Sequence, residues 1–387
     1  MPTNRMRNLV YRTALPLLSP SLHRQLDHET CGVAPGTLPA YTRILEKHHV
    51  LGSSLYLESG NKSMEILTSV RKPVRQVNSS TLFRIASLTK TVTTLAVLRL
   101  CRQGLMRLDA PVSLYLPEQH PQLRDVTVEQ ILAHRSGLQD LPAYEQALRG
   151  HDSYIRVLDT SGVRIAAPGS TFHYCNFAFG LLGCVMEQVT GLSVAKAMQE
   201  LVLDPLHMRG SLDVSLLDRK ELLPCTRILP WHGDASGFLP GPAEPMTVSP
   251  HTHFGYTAGA LYTDARSLAA LMRCIRHRGM SDYGLFLDEC QVDAMMTQHS
   301  TYGKQSPTLS YGLGLLIIRD PRLSAGTIYG HQGFAYGSVH GAFFSEADDR
   351  ILIFLSGGCS EARNGMLGLC NRDLLAWSHE EVSAWKF

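Results

Sequence analysis

The sequence predicts an α/β (α+β) fold, with one antiparallel sheet assembled from both chain ends, helices flanking it, and a mostly helical region inserted between its halves. Three observations predict it. Short apolar runs of strand character occur before residue 80 and again after residue 310. Between them, apolar residues recur at helical spacing or give way to irregular polar stretches. No repeat or low-complexity tract interrupts the chain, so the two strand-rich ends are most economically joined in one sheet.

Residues 1–35 have no clear period and carry scattered Pro and Gly, which reads as an N-terminal arm. Thr37–His48 reads as a helix, followed by strands over Val50–Glu58 and Met64–Val70 across the turn-like Ser59-Gly60-Asn61. A helix starts near Ser87, with Leu88, Val92, Leu95, Ala96 and Val97 at helical spacing and Gly104 placed to stop it. Val126–His134, Phe177–Thr190 and Ala265–His277 read as further helices, and the Pro-, Gly- and His-rich residues 230–255 as a long loop. Strands are expected over Gly312–Ile318, Gly326–Gly330, Gly337–Phe344 and Arg350–Ser356, then a closing helix over Arg363–Trp377. The implied division is a sheet domain of residues 36–80 and 255–387, and a mostly helical domain of residues 81–254. The active site falls between them.

Composition narrows the function classes. At 387 residues the chain can bury a large core, and 44% hydrophobic with 18% charged residues is globular, not disordered. A net charge of +2 with mixed signs leaves no footprint for nucleic acid or an anionic membrane. No apolar run reaches the ~18–20 residues of a membrane span. Nine cysteines, an odd number without a C-x-x-C pair, read as reduced, buried thiols of a reducing compartment. The apolar stretch after Arg5, Arg7 and Arg12 is broken by Pro16 and Pro20 and makes a poor signal sequence, so a cytoplasmic location is expected.

Three short elements can carry chemistry. In Phe83-Arg84-Ile85-Ala86-Ser87-Leu88-Thr89-Lys90, Ser87 and Lys90 lie three residues apart as a helix begins, so the amine shares a face with the hydroxyl. The helix N-terminus also favours an oxyanion nearby. Taken alone, so short a pattern is far more often an N-cap serine and a solvated lysine. In Tyr174-Cys175-Asn176 a phenol and an amide project from the turn before an apolar helix. A neighbouring ammonium group would lower the phenol's pKa from its reference of about 10 and let it take a proton from Ser87. In Gly330-His331-Gln332-Gly333-Phe334 the strand period sends His331 and Gln332 to opposite faces, and Gly333 lets a substrate approach the backbone closely. A satisfied strand histidine is the plain alternative for His331.

In the order S-x-x-K, Y-x-N, H-x-G these elements resemble the serine β-lactamase and penicillin-binding-protein superfamily, nearest its class C-like branch. Gln130–Leu138, Ala258–Thr263 and Tyr311–Gly314 look like further segments of that family, over roughly residues 36–380. The resemblance implies a β-lactamase/transpeptidase-like fold and an acyl-enzyme on Ser87, with Lys90 and Tyr174 handling its proton. It further implies that Asn176 orients Lys90 and substrate, that His331 supports the phenolate and the substrate, and that the backbone N–H groups of Ser87 and Phe334 form the oxyanion hole. No metal or organic cofactor is implied, and the partner is a small-molecule ester or amide.

Two positions depart from the family pattern. Gln332 stands where Thr or Ser holds a substrate carboxylate, and Phe334 follows Gly333 where small residues are common. Both favour an esterase or amidase over a β-lactamase or a D-amino-peptidase/carboxypeptidase. Acyl transfer is the second enzymatic reading, and a non-turnover penicillin-binding or sensor module is the reading from another class. His251-Thr252-His253 lacks a third metal ligand at fitting spacing and reads as a loop lining the site. Gly312-Leu313-Gly314 reads as sheet.

Overall fold

The computed structural model describes residues 26–71, 76–224, 245–303, 306–335 and 337–385, together with the isolated positions 9 and 13. Among the described residues, nine strands form one antiparallel sheet. In chain order they are β1 (Leu26–Cys31), β2 (Ser53–Ser59), β3 (Lys62–Val70), β4 (Ser300–Thr301), β5 (Leu309–Tyr311), β6 (Leu316–Ile318), β7 (Ile328–Ala335), β8 (Ser338–Ser345) and β9 (Arg350–Ser356). Across the sheet the order is β1-β3-β2-β9-β8-β7-β6-β5-β4. The two chain ends meet where β2 pairs with β9, Ser53–Ser59 against Arg350–Ser356.

The alternation along β9 shows why the sheet needs cover on both faces. Ile351, Ile353 and Leu355 enter the larger core with Leu268 and Leu271 of helix α4 (Ala265–Arg276), while Leu352 and Phe354 enter a second core. That second core holds Tyr41 and Leu45 of helix α1 (Thr37–Lys47) and Leu374 and Leu375 of helix α5 (Leu369–Ala384). A strand buried on both faces has no polar side, hence the unbroken apolar run. The helical region is built around α2 (Thr89–Arg102) and α3 (Asn176–Thr190), each buried over nearly all of its length. Among the described residues, no single helix is long and apolar enough to cross a membrane.

Several expectations change. Residues 26–31, assigned to the arm, form an edge strand antiparallel to β3; the arm before residue 26, apart from positions 9 and 13, and most of the loop over 230–255 lie outside the described residues. Gly312-Leu313-Gly314 is a break between β5 and β6, not sheet. Gly314 has φ +60°, and a Cβ there would lie 2.0 Å from Thr94 Oγ1, so glycine lets this corner press onto α2. The closing helix begins at Leu369, because Arg363–Asn364 and Leu367–Gly368 pair as a small hairpin. Of the cysteines read as buried, Cys31 and Cys290 are exposed and Cys101 is partly so. A short polar-flanked thiol carries no sequence sign of its depth.

Candidate active site

Ser87 sits in a single 3-10 turn, Ala86–Leu88, that runs directly into α2. Ala86 has φ +49°, a left-handed conformation a non-glycine residue adopts at a cost, and neighbours hold it there. The Ile85 N–H donates to the Leu261 carbonyl (2.9 Å), Thr89 Oγ1 donates to the Ala86 carbonyl (2.7 Å), and the Leu261 N–H donates back to Thr89 Oγ1 (3.2 Å). One helical turn on, Lys90 is fully buried. Its Nζ lies 3.1 Å from Ser87 Oγ, 2.8 Å from Asn176 Oδ1 and 2.7 Å from the Ala258 carbonyl. Burial pulls its pKa down to about 7, with the Asp140 carboxylate pulling the other way. The amine is therefore a proton acceptor near neutrality, already in contact with the hydroxyl.

Asn176 is fixed in turn by a residue that the sequence did not single out. Asp140 Oδ2 accepts from Asn176 Nδ2 (2.7 Å) and from the Asn176 N–H (3.1 Å), while Oδ1 accepts from the Phe177 N–H (2.8 Å). One carboxylate thus satisfies two of the unpaired N–H groups at the start of α3 and points the Asn176 carbonyl at Lys90. Tyr174 lies across Lys90, whose Nζ is 4.9 Å from the ring centre. Burial pushes the phenol well above its ordinary range; a hydrogen bond with Ser87 and the Arg363 charge oppose that. Tyr174 therefore rests as the phenol, not as the phenolate expected from a neighbouring ammonium. Behind it His134, buried and neutral, packs against the ring at a tilt with 4.1 Å between ring centres and accepts the Cys175 N–H on Nδ1 (3.2 Å).

The third element lies within β7 itself. Pairing with β6 ends at Gly330, so the edge of β7 from His331 onward is left to the Ser87 turn. A Cβ on Gly333 would lie 2.4 Å from the Ile85 carbonyl, which makes the close approach here protein on protein, where substrate on protein was expected. His331 Nδ1 lies 2.7 Å from the Gln332 carbonyl, an obligate acceptor, so the ring proton is on Nδ1 and Nε2 accepts from the Tyr311 hydroxyl at 2.8 Å. Burial, then the Lys90 charge, lower its pKa to about 3. A neutral ring with both nitrogens engaged supplies no cation to Tyr174, contrary to the sequence expectation. Gln332, on the pocket wall, has its amide tied to the 363–368 segment: Nε2 donates to the Met366 carbonyl (2.5 Å) and Oε1 accepts from the Gly368 N–H (3.1 Å).

Ser87, Tyr174, Asn176, His331, Gln332 and Phe334 line one pocket of about 270 Å³, with Tyr302, Leu316, Arg363 and Met366 completing its wall. Arg363 enters from the 363–368 hairpin, its guanidinium stacked 3.8 Å over the Phe334 ring. Asp140 and Arg363 had no readable signal beyond their chemistry, since neither shares a helical or strand period with the motifs. His251 and His253 do not line this pocket. His253 Nδ1 is 2.6 Å from the buried Glu187 and His251 Nε2 is 3.2 Å from Glu118. A second cavity of about 410 Å³, bounded by Ser193, Lys196, Asp213 and Leu216, holds none of the groups around Ser87.

A family model described as Beta-lactamase matches residues 41–372. Esterase EstB of Burkholderia gladioli is 30% identical over 345 residues, covering 78% of this chain and 84% of that protein. Among solved structures, the D-amino acid amidase of Ochrobactrum anthropi superposes with TM-score 0.69 at 19% identity, covering 91% of this chain and 99% of that one. A D-stereospecific amidohydrolase from Streptomyces sp. superposes with TM-score 0.65 at 21% identity, covering 88% and 97%.

Proposed function

The chain belongs to the β-lactamase family and is a serine hydrolase of that fold, and on that footing we propose that it is an esterase acting on small uncharged acyl substrates through an acyl-enzyme on Ser87. The contact of a lysine of pKa about 7 with the Ser87 hydroxyl carries this reading. The esterase EstB relative and the apolar wall of Tyr302, Leu316, Phe334 and Met366 favour an ester.

The residues divide the work by their resting protonation. Neutral Lys90 takes the Ser87 proton as Oγ bonds to the acyl carbon, and the carbonyl electrons move to oxygen. The backbone N–H groups of Ser87 and Phe334 are assigned to that oxyanion. As the tetrahedral intermediate collapses, the Tyr174 phenol gives its proton to the departing alkoxide, leaving acyl-Ser87 and a phenolate. The Lys90 ammonium then returns its proton to the phenolate. Water repeats the cycle on the acyl group, with Lys90 accepting its proton and Tyr174 protonating Ser87 Oγ.

Intact-mass measurement after a fluorophosphonate and a set of nitrophenyl esters tests the assignment on wild type and Ser87→Ala. Wild type should gain one phosphonyl adduct, and the variant none, with ester turnover lower by about 10⁴-fold or more. Undiminished turnover by Ser87→Ala would sink the reading.

A further inference from the structure

Tyr174 needs a stabilising charge when it loses its proton, and the side chain expected to supply it does not. His331 is neutral, with one nitrogen on the Gln332 carbonyl and the other on the Tyr311 hydroxyl. Yet the same stretch of β7 is tied at two points to another segment. Gln332 grips the 363–368 hairpin through the Met366 carbonyl and the Gly368 N–H, and Phe334 gives its ring as a platform for Arg363. The result is a guanidinium on the wall of the pocket that also exposes Ser87 and Tyr174.

We propose that Arg363 is the positioning residue that stabilises negative charge on the Tyr174 oxygen as its proton passes to the leaving group, and that Gln332 and Phe334 hold it in place for this. The third element then acts at one remove, through the hairpin it anchors. The other ionisable groups facing Tyr174 fit that assignment. Lys90 faces it from α2 and Asp140 from the segment preceding Pro142. His134 and His331 are held neutral by burial. Cys175, Tyr302 and Tyr311 are pushed up by burial and stay protonated. Of these described groups and Arg363, only the guanidinium is a cation whose charge does not change during the reaction. Its charge also acts to lower the Tyr174 pKa, against the larger effect of burial.

The inference rests on the roles given above to Ser87, Lys90 and Tyr174, and the leaving group separates the two. Fluoride leaves a fluorophosphonate, and nitrophenolate leaves its ester, with little need of a proton; an alkoxide leaves only with one. Wild type, Arg363→Met and Arg363→Lys are compared on fluorophosphonate labelling and on uncharged acetate esters running from nitrophenyl through phenyl to alkyl, with Ser87→Ala alongside. Arg363→Met should keep the labelling rate within about threefold and lose about tenfold more kcat/KM on the alkyl ester than on the nitrophenyl ester. Arg363→Lys, which keeps the charge, should recover most of that difference. An equal loss on every ester, or a loss confined to the KM of an added carboxylate-bearing ester, would overturn the inference and leave the Ser87 assignment standing. Labelling that persists in Ser87→Ala would overturn both.

Discussion

At the start of α2, Ser87 and Lys90 touch each other, and Asn176 touches Lys90; on β7, His331 touches Tyr311, Gln332 touches Met366 and Gly368, and Gly333 meets the carbonyl of Ile85. The first region brings together its own side chains, in the contacts the motif predicts. The second uses its side chains as structure and brings chemistry from the 363–368 hairpin. The difference lies in geometry. Residues three apart in a helix share a face by the period of the helix alone, whereas the partner of a strand side chain is whatever the tertiary fold lays against that face.

If the α2 corner is self-contained, Lys90→Met should bring the largest loss after removal of Ser87 itself, about 10²- to 10⁴-fold in kcat on a nitrophenyl ester, the range of a lost general base. A variant within threefold of wild type would mean that the base lies elsewhere. On β7 the steric role should dominate. Gly333→Ala forces a methyl against the Ile85 carbonyl, so it should move the Ser87 turn, slow fluorophosphonate labelling and cost about 1–3 kcal/mol in denaturant unfolding. Full labelling with unchanged stability would show that the two segments do not press together as described.

Asp140→Asn sharpens the first half of the comparison. It leaves one amide where two acceptor oxygens stood, which should cost about 1–2 kcal/mol at the start of α3 and lower kcat about tenfold as Asn176 loses its anchor. The carboxylate raises the Lys90 pKa, so its removal lowers that value further below about 7, and the acid limb of kcat/KM should move to lower pH. An acid limb that moves up would contradict the charge assignment.

The smallest effect at neutral pH separates the regions by acid stability. Burial holds His331 and His340 near pKa 3, and His134 well below the ordinary value. In the unfolded chain each takes a proton near pH 6.5, so below that the unfolded state binds more protons than the native one. Their contribution is complete above about pH 6.5 and is lost as pH falls toward 3, at about 1.4 kcal/mol per pH unit for each ring. Urea midpoints between pH 6.5 and 4.5 should fall accordingly, and His340→Gln should flatten the slope by one ring's share. A flat wild-type profile would mean that these rings are not held neutral.

The sequence by itself determined the two-ended sheet, α2 and α3, and the corner where Ser87, Lys90, Tyr174 and Asn176 gather. The sheet, the helices and the Ser87–Lys90 spacing rest on local periods: the unbroken apolar run of β9, the helical spacing after Ser87, the apolar stretch after Asn176; that Tyr174 and Asn176 join Ser87 and Lys90 was legible only through the resemblance to the family. Tertiary structure alone decided that Asp140 caps α3 from 36 residues away and orients Asn176. It also turned His331 toward Tyr311, gave the Gln332 amide to a hairpin, and placed Arg363 over Phe334. Each of these depends on which segment packs against a strand face or a helix end. That is set by the summed burial of two cores, and no repeat or spacing in the chain encodes it.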